Sequence, residues 1–172
     1  MFTVEVKDSS VRAGLDELSA KLDNMKPVLQ AIGEDIMERA KARFATSTGP
    51  DGQRWAPNAR STIESFVGNK GGFGKRGINK KGQGLAMNKK PLIGESKSLM
   101  KQFHVSADAD SVVIGNTMPY AAMQQFGGTK AMFPNLWGDI PARPFFPVDA
   151  NGFLNEHERE LILAKINQYM EK

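Results

Sequence analysis

Leu15, Leu18, Leu22, Met25, Leu29, Ile32 and Ile36 follow one another at steps of three and four, and Ala40 and Phe44 extend the series. That spacing keeps them all on one face of a helix. An apolar face of this length is not stable in water by itself, so the rest of the chain must supply something to cover it. Asp8-Ser9-Ser10 provides helix-start residues ahead of the series. Pro27 interrupts it and has no backbone N–H to donate. The pattern therefore predicts a break or kink near Met25 and Lys26, and a main helix from about Pro27 to Ala45. It lasts too few heptads for a coiled-coil seam and reads as a core face.

The covering elements are legible in outline. Phe2, Val4 and Val6 alternate with Thr3, Glu5 and Lys7, the pattern of a short half-buried strand. After the Thr48–Gly52 turn cluster, Ser61 to Val67 reads as a short helix. Gln102–Val105 and Val112–Gly115 read as a β-hairpin turning at Ala107–Asp110. Pro119 to Gly128 has Pro at a helix start and Gly past its end, which predicts a helix of two turns. Ile140–Pro147 holds three prolines and must be extended, as an edge segment. A C-terminal helix follows from about Asn155, with Glu156 and Glu158 in its first turn and Leu161, Ile162, Ile166, Tyr169 and Met170 on one face. The fold class is α+β: a small, mostly antiparallel sheet packed by a long N-terminal helix and a C-terminal helix. A chain of 172 residues fits one such domain.

Residues 68–90 stand apart. They hold seven glycines, six lysines and Arg76, and no acid, while the remainder carries 16 basic and 19 acidic groups. The chain's net charge of +4 is thus owed to one segment. A DNA-binding face usually spreads its basic groups along a helix or surface, so the charge here is local. As a Gly-rich coil the segment would place its ends roughly 25–29 Å apart and remain mobile until a partner ordered it. Lys70, Lys75, Arg76, Lys80, Lys81, Lys89 and Lys90 are its candidate contacts, to DNA or to a neighbouring acidic protein. The plain alternative is a solvated loop kept soluble by its lysines.

Catalytic groups are hard to assemble from this sequence. There is no Cys, which excludes disulfides and thiolate metal sites. His104 and His157 lack any partner pattern, and Asp108 and Asp110 are spaced like a metal pair but sit in a turn, where Asp is favoured anyway. Glu156 to Glu160 reads as a solvated helix start. The glycines around Lys75 fail the phosphate-loop pattern at its Lys-Ser/Thr end. No catalytic, cofactor or metal residue is assigned. No apolar run approaches the roughly 18 residues of a membrane span, and the N-terminus shows no secretory signal, so no membrane partner is expected.

Several short pieces, taken in order, carry a resemblance. They are Gly49-Pro50-Asp51-Gly52 with Trp55-Ala56-Pro57, then Pro91-Leu92-Ile93 with Ser96 and Leu99, Val113-Ile114-Gly115, Tyr120-Ala121 with Gln125-x-Gly127, and Ile140-Pro141-Ala142-Arg143-Pro144-Phe145-Phe146. From about residue 30 onward the chain resembles the phage virion morphogenesis family of Mu-like phages, related to tail completion proteins of other long-tailed phages. It departs from the family's usual Thr-Gly before Leu99, reading Gly94 to Ser98 there. The resemblance implies a structural role, without catalysis, at the head–tail junction or head-proximal tail end. It further implies a ring of this chain (a hexamer), neck or connector and tail-tube proteins as partners, and DNA passing through the lumen. The location implied is the virion, after assembly in the host cytoplasm.

A ring subunit needs adhesive surface. Phe133, Trp137, Phe145 and Phe146, with Arg143 to pair a neighbour's carboxylate, are the candidate interface. In the alternative, Phe145 and one more aromatic close the core under the sheet. Trp55 is expected to pack over the long helix, and Tyr120 to bury its ring. Two competing functions stay open: a nucleic-acid-binding module using 68–90 as its arm, and a hydrolase built on Asp108, Asp110 and His104 with a flexible lid.

Overall fold

A computed structural model describes residues 9–136 and 138–171. The elements run α1 Ser9–Asp23, α2 Lys26–Thr46, α3 Arg60–Asn69, β1 Phe73–Gly74, β2 Gly77–Ile78, α4 Lys80–Asn88, α5 Ser98–Lys101, β3 Phe103–Ala107, β4 Val112–Asn116, α6 Ala121–Phe126 and α7 Glu156–Met170. The expected strand at Phe2–Val6 lies outside the described residues. The fold is α+β, with two separate antiparallel two-stranded sheets, β1–β2 and β3–β4.

The break in the apolar series falls where Pro27 predicts it, between Asp23 and Lys26, and Pro27 occupies the first turn of α2, where its missing donor is harmless. Beyond the break the two halves of the series differ. Val28, Ile32, Ile36, Ala40 and Phe44 of α2 are buried, whereas α1 buries none of its residues and Leu15 and Leu22 are about 60% exposed (62% and 61%). The series is a core face only in its second half.

α2 organises two stacked cores. Its N-terminal half carries Val28, Ile32 and Ile36, packed by Ile114 of β4 and by Ile162, Ile166 and Tyr169 of α7. Gly33 faces the hairpin, and a Cβ there would come within 2.5 Å of Val105 and 2.7 Å of Val112, so the glycine lets helix and strands approach closely. Its C-terminal half delivers Phe44 to a second core of Trp55, Leu99, Ala121 and Phe145, flanked by Phe103 and Phe146. Trp55 meets Phe44 edge-to-face at 5.4 Å and donates its indole N–H to the Pro144 carbonyl at 2.8 Å, the packing role expected of it.

α7 runs antiparallel to α2 and is fastened to it by charge at both ends. Lys165 donates to the Ala31 carbonyl and pairs with Asp35, while the Tyr169 hydroxyl reaches the Asn24 carbonyl at 3.2 Å. At the other end Glu158 lies only 2% exposed between Arg39 and Arg43. Glu158 was expected in a solvated helix start; the two arginines of α2 make its burial tolerable instead.

Candidate functional site

Two constructions stand out, and the first explains the motifs that carry the family resemblance. The Ile140–Pro147 segment has extended backbone and three prolines, so no sheet ladder can satisfy all its amides. Its bonds go to α6. Arg143 N–H donates to the Gln124 carbonyl at 2.8 Å, and Ile140 exchanges two backbone bonds with Gly128. Gln125, 3% exposed, does the rest. Its Oε1 accepts from Phe145 N–H and Phe146 N–H, both at 2.9 Å, and its Nε2 donates to the carbonyls of Phe146 and Val148 at 3.0 and 3.1 Å. One side-chain amide thus spends its full donor set and both acceptor positions on a segment that no β-ladder covers beyond Ile140. Gly127 ends α6 with φ 74°, and any side chain there would strike the backbone at Ala142.

This clamp buries two of the residues expected at an interface. Phe145 is fully buried, tilted against Phe44 at 5.4 Å, and belongs to the core rather than to a neighbour. Arg143 is buried too, and its guanidinium donates to the carbonyls of Ala56 and Pro57, both at 2.8 Å, so it braces the loop before α3. Burial alone holds that guanidinium below the usual arginine range. Phe146 is half-buried and packs on Phe103 at 5.3 Å. Phe133 is exposed, and Trp137 lies outside the described residues. Tyr120, expected to be buried, is 44% exposed at the start of α6. Arg43 ties the clamp to the rest: it donates to the Phe145 carbonyl at 2.8 Å and pairs with Glu158 at 3.4 Å. Burial depresses its ionisation and Glu158 opposes that effect.

The second construction is the basic segment, and it is folded rather than coiled. β1 and β2 form a tight hairpin, Phe73 opposite Ile78, and Asn79 then caps α4 by accepting from Gly82 N–H at 2.8 Å. The hairpin closes on its neighbours through glycine. A Cβ on Gly72 would lie 2.5 Å from Val67 and 2.7 Å from the Gly82 Cα, and one on Gly82 would drive into the Gly72 carbonyl oxygen. Both glycines are buried, and the Gly72 amide and carbonyl bond to Val67 and Asn79 at 2.8 and 3.0 Å. The segment's glycine content, read as flexibility, includes two residues needed for close approach between α3, the hairpin and α4.

The seven cations divide into two groups. Lys70 pairs with Glu95 at 2.5 Å and lies over the Phe66 ring, which pulls the Glu95 carboxyl below its usual range. Lys89 sits 5.1 Å from the same ring and donates to the Ile93 carbonyl, and burial lowers its pKa. Lys90 donates to the Ala45 carbonyl at 2.6 Å. These three bind the knob to the body. Lys75 and Arg76 at the hairpin turn, and Lys80 and Lys81 in the first turn of α4, are exposed and engage none of the described residues in hydrogen bond or ion pair.

Asp108, Asp110 and His104 do not converge. His104 lies on β3 and Asp108 beyond its end, about 13 Å along the strand at the usual rise per residue. Asp108 N–H closes the turn onto the Ser111 carbonyl at 2.8 Å. Among the described residues no three His, Asp or Glu side chains gather as metal ligands, and no helix is long and apolar enough to cross a membrane.

The chain belongs to the phage virion morphogenesis family, whose model matches residues 6–171. Membership assigns it to bacteriophage virion assembly, in a structural or assembly role. No curated protein and no solved structure matches the chain.

Proposed function

We propose that this chain is a non-enzymatic subunit of the neck or head-proximal tail end of a Mu-like phage. There it completes the tail or joins it to the head, and it assembles as a ring, a hexamer in the simplest case. Its partners are copies of itself, the adjoining neck or connector proteins and the tail tube. One observation carries the reading beyond family membership: the subunit leaves large apolar groups at its surface. Leu15, Leu18 and Leu22 of α1 are exposed on one helical face. Phe126 and Phe153 are also exposed, and they line one shallow groove beside the clamp. Exposed apolar groups gathered in this way mark surfaces for protein partners. Phe126 and Phe153 therefore take the place of Phe145 and Arg143 as interface residues, with Phe133 retained.

The test is electron microscopy of lysates from phage lacking this protein. Filled heads beside separate tails indicate joining, and tails of uncontrolled length indicate termination. Intact, infectious particles overturn the proposal.

A further inference from the structure

The geometry points to a DNA-backbone contact made by Lys75, Arg76, Lys80 and Lys81, the exposed cations of the folded knob that take no hydrogen bond or ion pair among the described residues. This inference rests on the proposed place of the subunit, where packaged DNA is within reach. Three observations carry it. First, the cations fall into two groups. Lys70, Lys89 and Lys90 are engaged by Glu95, by carbonyl oxygens or by the Phe66 ring, whereas Lys75, Arg76, Lys80 and Lys81 are exposed and take no hydrogen bond or ion pair among the described residues. Second, no acid occurs in the sequence between Glu64 and Glu95, so the segment that carries the four cations supplies no carboxylate of its own. Lys80 and Lys81 also stand in the first turn of α4, where the helix dipole is positive and acids are the stabilising choice. That arrangement is unfavourable in the free protein and is relieved by an anion. Third, the cations are held on a built platform. The Gly72–Gly82 contact, the Asn79 cap and the Phe73–Ile78 pair fix the hairpin against α3 and α4, so binding need not first order a coil.

The choice of DNA over an acidic protein follows from the same features. Protein surfaces mix signs and offer carboxylates at particular places, which select for matched pairs such as Lys70 with Glu95. A segment whose own charges are all cations suits an unbroken line of phosphates, which needs no register. Each phosphate neutralised contributes about 0.9 to the slope of log affinity against log salt, so four contacts give a slope of about 3 to 4.

The experiment measures binding of the full chain to a nonspecific DNA duplex by fluorescence anisotropy, from 20 to 200 mM salt. The wild type should bind at low salt with that slope, losing about a hundredfold in affinity over a fourfold rise in salt. The variant Lys75→Gln, Arg76→Gln, Lys80→Gln, Lys81→Gln should lose most of the binding and nearly all of the slope. A matched variant, Lys26→Gln, Lys101→Gln, Lys130→Gln, Arg159→Gln, removes the same charge elsewhere and should keep most of both. Replacing Lys75, Lys80 and Lys81 by Arg should preserve binding, which separates lost charge from lost folding. Any one of four results overturns the inference: no wild-type binding at 20 mM salt, an unaffected knob variant, equal loss in the matched variant, or tighter binding to an acidic polypeptide than to DNA. In phage, a deletion defect fully rescued by the knob variant sinks the DNA contact alone. A deletion without defect sinks the neck assignment instead.

Discussion

Gln125→Ala is the substitution that tests the clamp most directly. It removes the acceptor of two consecutive backbone amides and the donor to two carbonyls. Phe145 is wholly buried, so its N–H has no route to water and should cost about 2 kcal/mol when left unpaired. Phe146 and Val148 are half-buried, and water reaching them limits the loss to about 0.5–1 kcal/mol for each of three groups. The sum is about 4 kcal/mol, a large share of the roughly 5–15 kcal/mol by which domains are stable. Gln124→Ala is the control, one residue away on the same helix and without a side-chain hydrogen bond; it should stay within about 0.5 kcal/mol of wild type. The assay is urea unfolding followed by circular dichroism, read as a shift in midpoint at constant slope. A second variant, Gln125→Glu, keeps the acceptor but turns a charged oxygen toward two carbonyls. It should be destabilised at pH 7 and recover toward pH 4 as the buried carboxyl takes up a proton. If Gln125→Ala unfolds at the wild-type midpoint, the segment finds its partners elsewhere and the reasoning fails.

Three further outcomes are expected. Glu158→Ala leaves Arg39 and Arg43 facing one another beside a buried site and should destabilise by about 3 kcal/mol, while the double variant with Arg43→Met recovers part of the loss; strict additivity in a mutant cycle would contradict the coupling. Gly82→Ala should open the knob at a local cost of about 1–3 kcal/mol, seen in hydrogen exchange as lost protection at the Gly72 and Asn79 amides with α2 unchanged. Because Lys70 lowers the Glu95 carboxyl, that pair stabilises the fold above the ordinary glutamate range, and the contribution disappears as pH falls through the depressed value. NMR titration should show Glu95 protonating below the usual range, and Lys70→Gln should return it to that range.

What could be read from the sequence came from periodicity and from Pro and Gly. The face of α2, the β3–β4 hairpin and α7 follow from repeats of three to four or of two, because burial on one side imposes them, while the break at Pro27 and the bounds of α6 follow from the backbone chemistry of Pro and Gly. α1 shows the limit of that signal: its leucines keep the helical spacing, yet spacing does not state what covers them. Residues 68–90 show the limit of composition. Glycine serves both mobility and close approach, and only a knowledge of what lies opposite Gly72 and Gly82 separates the two. Gln125 carried no local signal either. Its role becomes visible on asking where the amides of a proline-rich extended segment find their partners. The burial of Arg143 and Phe145 within the subunit was hidden for the same reason, since the clamp turns that segment inward.

The position of α2 in the chain has a consequence for synthesis. Phe44 waits for Phe145, and Arg39 and Arg43 wait for Glu158, more than a hundred residues later (sequence separations of 119 and 115 for the two arginines). At about 5–20 residues per second, the apolar face of α2 stays open for roughly 5–20 s after it leaves the ribosome. Late in that interval the β3–β4 hairpin is made, and among the described residues it is the large partner that reaches α2 before the clamp and α7. A chain stopped before Phe145 would hold α2 and the hairpin but neither the clamp nor α7. Such fragments should be captured by chaperones or proteases rather than persist, so incomplete subunits are removed before they can reach a growing particle.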